Sequence, residues 1–244
     1  VIPNNSIGVY QSLSKDYSAI ETPTWALLLA QAIRAKGFKV AILDSLAENL
    51  NYDEVLERIN KLKPRIINFV VYGQNVNSGT TSMSGAVKLS NYLKENTVEA
   101  PIVYTGSHVQ ALPIETLETE DSIDIVLTNE GVYSLLNLLA LDDFSPKNLE
   151  EIKGIGFRNN GKPYLTLPQS VVPQEKMDID LPGYAWDLLP YKIKPFDLYR
   201  SPMWHAEYDH NKRTPYAALQ TSLGCRFGCS FCMINMINRN DNDE

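Results

Sequence analysis

The sequence predicts an α/β fold, a doubly wound five-stranded parallel sheet of the flavodoxin or Rossmann type, followed by a connector and the first strand of a second unit. Three observations carry this expectation. Strand-like and helix-like patterns alternate five times over the first 140 residues, the signature of β/α repeats. One of the strands, Ile66–Tyr72, is nearly all apolar, as a strand buried on both faces must be. The alternation then stops at a stretch, 168–202, that holds six of the fourteen prolines, and a short strand-like run follows it.

The elements follow in order. Ile7–Gln11 has β character and is expected to be the first strand. Thr22-Pro23 supplies an N-cap and a Pro at N1 for a helix reaching about Lys36. Trp25, Leu28, Leu29, Ala32 and Ile33 share one face of it, and Gly37 suits the position after its end. Val40–Leu43 is the second strand. Asn51, with Glu54 three residues on, forms a capping box for a helix whose stripe is Val55, Ile59 and Leu62, and Pro64 stops it. After the strand at Ile66–Tyr72 comes a loop of small and polar residues, Gly73–Thr81, and a helix ending near Asn96. Ile102–Tyr104 and Ile123–Leu127 are the fourth and fifth strands, and Val132–Leu139 begins a closing helix. Right-handed crossovers favour the strand order 2-1-3-4-5. A hairpin over Lys153–Thr166 turns at Asn159-Asn160-Gly161. Tyr216–Thr221 is the new strand. The chain thus divides into an α/β domain at 1–142, a hairpin and proline-rich connector at 143–213, and the start of another domain at 214–244.

In such sheets a ligand lies beyond the C-terminal ends of the strands, at the switch between strands one and three. The loops expected there are Gln11–Thr22, Gly73–Thr81, Thr105–Pro113 and Thr128–Gly131, long or rich in Gly, Ser, Thr and Asn. The fingerprint GxGxxG is absent after the first strand, which argues against a dinucleotide. Composition narrows the partners further. A net charge of −7 and a pI near 5.1 argue against a broad nucleic-acid surface. No apolar run approaches the roughly 18 residues of a membrane span, and the first residues lack a signal-peptide pattern, so a cytoplasmic location is expected. The missing initiator Met predicts a trimmed or partial sequence.

The three cysteines lie within eight residues, as Cys225-Arg-Phe-Gly-Cys229-Ser-Phe-Cys232. An odd number so close together makes a poor disulfide framework and reads as metal ligation in a reducing compartment. A [4Fe–4S] cluster ordinarily takes four cysteines. Three would leave one iron open to a further ligand, and Gly224 and Gly228 would let the backbone wrap closely. The alternative is a zinc site completed by His205 or His210, although zinc motifs usually pair two such knuckles.

The segment Thr221-Ser-Leu-Gly-Cys-Arg-Phe-Gly-Cys-Ser-Phe-Cys-Met233 resembles the opening of a radical S-adenosylmethionine (AdoMet) barrel, whose first strand corresponds to Tyr216–Thr221. The resemblance implies that Cys225, Cys229 and Cys232 hold a [4Fe–4S] cluster and that AdoMet chelates the fourth iron. It also implies one-electron cleavage of AdoMet to methionine and a 5′-deoxyadenosyl radical. Phe231 matches the aromatic that contacts the adenine, and an electron donor such as flavodoxin or ferredoxin is implied. The order of domains resembles the cobalamin-binding, class B branch of that family, over essentially the whole chain. The carriers are Ala19–Trp25, Thr105-Gly-Ser-His108 with Leu112-Pro113, Asn129-Glu-Gly131, Asp180-Leu-Pro182 and Trp186–Pro190. The implied fold is a B12-binding domain followed by the first strand and cluster loop of a truncated β/α barrel. Such a barrel needs about 150 or more further residues, so the chain reads as a fragment.

The resemblance implies binding of cobalamin and a small-molecule substrate, with methyl transfer to an unactivated carbon or phosphorus centre. An oxidative cyclase of the magnesium-protoporphyrin monomethyl ester type and a non-catalytic corrinoid-binding fragment are the alternatives. The motif DxHxxG is missing, and Gln11–Thr22 has no His, so cobalamin is expected base-off with no protein His on cobalt. The cobalamin candidates are Ser78, Gly79, Thr80, Gly106, Ser107, His108, Glu130 and Gly131. Each has a plainer reading: His108 as a hydrogen-bonded loop residue, Ser78–Thr80 as loop and N-cap, and Glu130 as a helix cap. Asp44 is a polar strand end, and His205 and His210 suit the surface.

Overall fold

The apolar run beginning at Ile66 becomes the strand that organises the sheet. In the computed structural model, which describes residues 1–14, 18–72, 79–192, 198–200, 215–225, 227 and 229–234, it forms β1 (Ile67–Val70). β1 pairs in parallel with β2 (Ile102–Thr105), and β2 with β3 (Ile125–Leu127). Every residue of β2 and β3 is buried, so helices must cover both faces. β4 (Ile155–Asn159) and β5 (Lys162–Leu165) then form a hairpin laid antiparallel on β3. Its turn needs two successive left-handed residues, which Asn160 (φ 50°) and Gly161 (φ 78°) supply. The hairpin extends the sheet, so the sheet is mixed rather than wholly parallel.

On the other side of β1 the neighbour is the very start of the chain. The Val70 amide donates to the Val1 carbonyl at 3.0 Å, and Ile2 pairs in parallel with Asp44. The parallel order is therefore 43–45, 1–2, β1, β2, β3, which is the expected 2-1-3-4-5. The residues filling the first position differ from the expectation. Ile7–Gln11 is not a strand: α1 (Ser6–Tyr10) and a 3₁₀ turn (Gln11–Leu13) occupy it. The slot between Leu43 and β1 is already taken by Val1 and Ile2, and the Asn4 side chain accepts from the Ser6 amide (3.0 Å), which starts a helical turn. Ile7 is left 76% exposed.

α2 (Thr24–Ala35) begins one residue later than expected, with Pro23 as the cap residue, and ends before Gly37 at φ 88°. Its expected face, Leu28, Leu29, Ala32 and Ile33, packs on the sheet. Leu27 and Ala30, on the opposite side, pack on Ala185, Leu189, Leu198 and Tyr199 of the connector, so α2 is covered on two sides. α3 (Tyr52–Leu62) carries the complete capping box: the Asn51 side chain accepts from the Glu54 amide (3.0 Å) and the Glu54 carboxylate from the Asn51 amide (2.8 Å). Asn51→Ala is expected to lower unfolding stability by about 1 kcal/mol in urea denaturation. α4 (Gly79–Glu95) follows β1, and α5 (Ser107–Ala111) and α6 (Pro113–Thr119) follow β2. α7 (Val132–Ala140) follows β3, and α8 (Pro146–Glu150) leads to β4. Arg158 of β4 donates to the Ile123, Leu117 and Glu120 carbonyls (2.7, 2.6 and 2.8 Å), satisfying acceptors left over at the end of α6.

The connector is packed on the domain along its described length. Ile20 and Arg200 form an antiparallel bridge, and the Ala185 amide donates to the Leu27 carbonyl at 3.2 Å. Lys36 and Tyr133 both donate to Asp180, in the short helix α9 (Met177–Asp180), at 2.9 and 2.7 Å. The Tyr199 hydroxyl donates to buried Asp44 at 2.9 Å, and the Ala47 amide donates to the same carboxyl at 3.0 Å. Burial pushes the Asp44 carboxyl from 3.8 up to about 6, against those two hydrogen bonds. The folded state therefore holds this proton more tightly than the unfolded chain. That contribution is fully present below about pH 4 and is lost as pH rises through about 6, a difference of about 3 kcal/mol. Asp44→Asn is expected to remove this downward trend, as checked by urea unfolding at a series of pH values.

Candidate functional site

The C-terminal edge of the parallel strands gathers several of the expected residues. β1 continues into Val71 and β2 into Gly106, and the Val71 amide donates to the Thr105 carbonyl at 2.7 Å. The two chains run so close that a Cβ on Gly106 would overlap the Val71 carbonyl oxygen. Gly79, at the start of α4, faces Ser107 in the same way, and a Cβ there would overlap Ser107 Oγ. Ser107 is wholly buried, and its hydroxyl has no hydrogen-bond partner among the described residues. A buried unpaired hydroxyl costs about 1–3 kcal/mol, so it marks a place where a polar ligand group would be welcome.

Thr80 and His108 meet across the gap between α4 and α5, with Thr80 Oγ1 3.0 Å from His108 Nδ1. Partial burial lowers the His108 imidazole from its ordinary value, which keeps it neutral at neutral pH. Both residues border a cavity of about 510 Å³ lined also by Met83, Val87, Lys88 and Glu115. Ser78, the other member of that loop group, lies outside the described residues, as do Gly228, His205 and His210.

The loop after β3 makes contact with the connector. Glu130 accepts from the Val172 amide at 2.8 Å, and the Asn129 side chain donates to the Gln169 carbonyl at 2.6 Å. Both therefore fasten the connector to the sheet edge. Burial raises the Glu130 carboxyl, and the Val172 amide opposes that shift. Gly131 begins α7 at φ 75°, a conformation glycine adopts without strain.

Sequence reasoning missed a second polar group at the same edge. Gln110 Nε2 donates to the Tyr72 hydroxyl (2.8 Å) and to the Asn129 carbonyl. Tyr72 stands edge-on to Trp25 with ring centroids 6.1 Å apart, and the buried Trp25 Nε1 has no acceptor among the described residues. Trp25 fits the apolar face of its helix so well that periodicity alone assigns it to the core. The only signal pointing elsewhere is its place in the first turn, at the ligand end of the sheet. Two buried donors, Ser107 and Trp25, are thus without partners among the described residues, and Ser107 lies against Gly79. This donor set fits a ligand that offers acceptors, such as the amides and phosphate of a corrinoid.

The cysteine loop lies at the end of the described chain. Cys225 and Cys229 are exposed and Cys232 is half-buried, with the Cys232 amide donating to the Cys229 carbonyl at 3.0 Å. Among the described residues no three His, Cys, Asp or Glu side chains are gathered closely enough to hold a metal ion. The loop's chemistry, three soft thiols with no fourth cysteine in the sequence, fits an iron–sulfur cluster with one open iron. Phe231 is 85% exposed. Residues 216–220 lead into the loop without the strand pairing expected there among the described residues.

The fold and its polar edge define a cofactor-binding α/β domain, and the sequence comparisons say which kind. The profile of the B12 binding domain matches residues 15–139, and the chain belongs to that family. It is 28% identical, over 86% of its own length and 40% of the relative's, to an uncharacterized methyltransferase, PH0819, of Pyrococcus horikoshii. It is 25% identical, over 91% of its length and 37% of the relative's, to the anaerobic magnesium-protoporphyrin IX monomethyl ester cyclase of Rubrivivax gelatinosus. The chain thus spans about two fifths of the length of the curated relatives it matches. Among solved structures it resembles the radical S-adenosylmethionine methyltransferase TsrM of Kitasatospora setae (TM-score 0.48, 18% identity, 59% of this chain and 27% of that one). It also resembles the cobalamin-dependent S-adenosylmethionine radical enzyme OxsB (TM-score 0.44, 15% identity, 64% and 22%). Among the described residues no helix is long and apolar enough to cross a membrane.

Proposed function

We propose that the full-length protein is a cobalamin-dependent radical AdoMet enzyme that transfers a methyl group to an unactivated carbon or phosphorus centre of a small molecule. The observation that carries this reading is the order of parts: a B12-binding domain followed within one chain by CxxxCxxC. Bound together, the cluster and AdoMet supply a carbon-centred radical, and the corrinoid supplies a transferable methyl group. Cys225, Cys229 and Cys232 would hold the cluster, and Phe231 would lie against the adenine. Ser107 and Trp25 would donate to acceptors of the corrinoid or its tail, while Gly79 and Gly106 keep the backbone out of its way. Thr80 and neutral His108 would offer a hydroxyl and an imidazole at the rim. No His stands in residues 11–22, which supports base-off binding without a protein ligand on cobalt. Reduction of the cluster calls for a donor such as flavodoxin or ferredoxin.

A second reading, an oxidative cyclase, is favoured by the match to the Rubrivivax enzyme over 91% of this chain. One preparation tests the shared core of both readings. The full-length protein is expressed anaerobically, reconstituted with iron, sulfide and hydroxocobalamin, desalted and scanned. Both the cluster and corrinoid absorption bands are expected. A corrinoid band without iron would overturn the radical AdoMet assignment. Nitrogen hyperfine coupling from a histidine on cobalt would overturn base-off binding. Product analysis with AdoMet and candidate substrates separates methylation from cyclisation.

A further inference from the structure

Residues 215–220 form no helix and no backbone ladder among the described residues. Two side chains of other segments stand in for a neighbouring strand. Thr22 Oγ1 accepts from the Ala218 amide at 3.0 Å. The Tyr184 hydroxyl accepts from the Gln220 amide at 2.8 Å and donates to the Gln220 carbonyl at 3.0 Å. Leu219, between Ala218 and Gln220, is 60% exposed. Tyr216 packs on the connector cluster and Leu223 on the sheet cluster, so apolar contacts flank the polar clamp at both ends.

The clamp is itself rigidly mounted. Thr22 is 5% exposed, its carbonyl accepts from the Thr24 amide at 2.8 Å, and the nearby Ile20 is bridged to Arg200. Tyr184 stacks at a tilt on Trp186 with centroids 5.1 Å apart, and its neighbour Ala185 donates to the Leu27 carbonyl of α2. Beyond the clamp Gly224, at φ 77°, turns the chain into the cysteine loop. Cys225 is five residues from Gln220, a reach of at most about 17 Å. Where Gln220 is held therefore limits where the thiols can stand.

We propose that Thr22 and Tyr184 are positioning residues, whose side chains fix residues 218–220 on the α/β domain and so set the place of the cysteine loop relative to the corrinoid edge. What the loop holds rests on the function proposed above. The clamp itself does not. Hydrogen exchange of the full-length protein tests it, followed by mass spectrometry on peptides covering 216–222 and α2. Tyr184→Phe keeps the ring and removes the hydroxyl. Thr22→Val removes the acceptor at constant shape, and Thr22→Ser restores it. Exchange over 216–222 is expected to be about tenfold faster in Tyr184→Phe and Thr22→Val, near wild type in Thr22→Ser, and unchanged in α2. In the loaded protein, the pulsed-EPR distance distribution between cobalt and the reduced cluster is expected to broaden in the first two variants only. Unchanged exchange over 216–222 in Tyr184→Phe, or equal acceleration in α2, would overturn the proposal. A wild-type protein that takes up no iron would overturn the functional reading and leave the exchange result standing.

Discussion

Replacing any one of Cys225, Cys229 and Cys232 with alanine in the full-length protein is expected to abolish cluster assembly and AdoMet cleavage. A cluster held by three thiolates already has one iron without a protein ligand, so losing a second anchor leaves no reserve. Iron should fall from about four per chain to background after reconstitution and desalting. Corrinoid uptake should not change, because the cysteines lie outside the matched B12-binding region at 15–139. That contrast separates loss of a ligand from loss of the fold. Zinc bound in place of iron, retained by all three variants, would sink the cluster assignment. Among the described residues nothing else in this loop supplies a metal ligand, so the expected effect is close to all or none.

The second large effect is expected at Gly106. Its backbone is extended (φ 162°), so no left-handed conformation requires glycine there. The requirement is space: an added Cβ would overlap the Val71 carbonyl oxygen and come within 2.8 Å of its carbon. Both are backbone atoms at the end of β1, held by the Val71–Thr105 hydrogen bond, and cannot turn aside. Gly106→Ala must therefore force the ends of β1 and β2 apart, at a cost of about 3 kcal/mol. Corrinoid retention should fall with it, since those two chain ends frame the unpaired Ser107 hydroxyl. Gly79→Ala provides the comparison. The atom its Cβ would meet most closely is the Ser107 side-chain oxygen, which can change rotamer, so a smaller loss is expected. Equal destabilisation by both variants, measured by urea unfolding, would show that the approach of β1 to β2 is not the controlling contact.

Much of the fold was legible because its signals are local. The capping box at Asn51 and Glu54, the Asn160-Gly161 turn and the apolar runs of β1 to β3 each depend on residues close in sequence. The strand order also followed, since crossover handedness leaves few choices. What failed was the first strand. Ile7–Gln11 and Val1–Ile2 are both apolar enough, and only competition for one slot beside Leu43 and Val70 decided between them. The strand expected at Tyr216–Thr221 failed for a related reason. Its strand-like composition is local, but pairing requires a neighbour, and here the Thr22 and Tyr184 side chains take that place.

The candidate site divides along the same line. The spacing of Cys225, Cys229 and Cys232 is fixed by the chain itself, because ligands seven residues apart end to end need no tertiary fold to be recognised as a set. The sequence alone therefore marked the three thiols as a candidate cluster site, and its match over residues 15–139 gives the family of the preceding domain. Glu130, Trp25 and Tyr184 could not be assigned that way. Each acts through partners far along the chain: Val172 for Glu130, Tyr72 for Trp25 and Gln220 for Tyr184. Only the tertiary structure decided that Glu130 meets the connector, that Trp25 leaves a donor unpaired among the described residues, and that the Tyr184 hydroxyl bonds the Gln220 backbone. Hydrogen bonds and exclusion of water depend on which groups meet in space, and periodicity along one segment carries no record of the other.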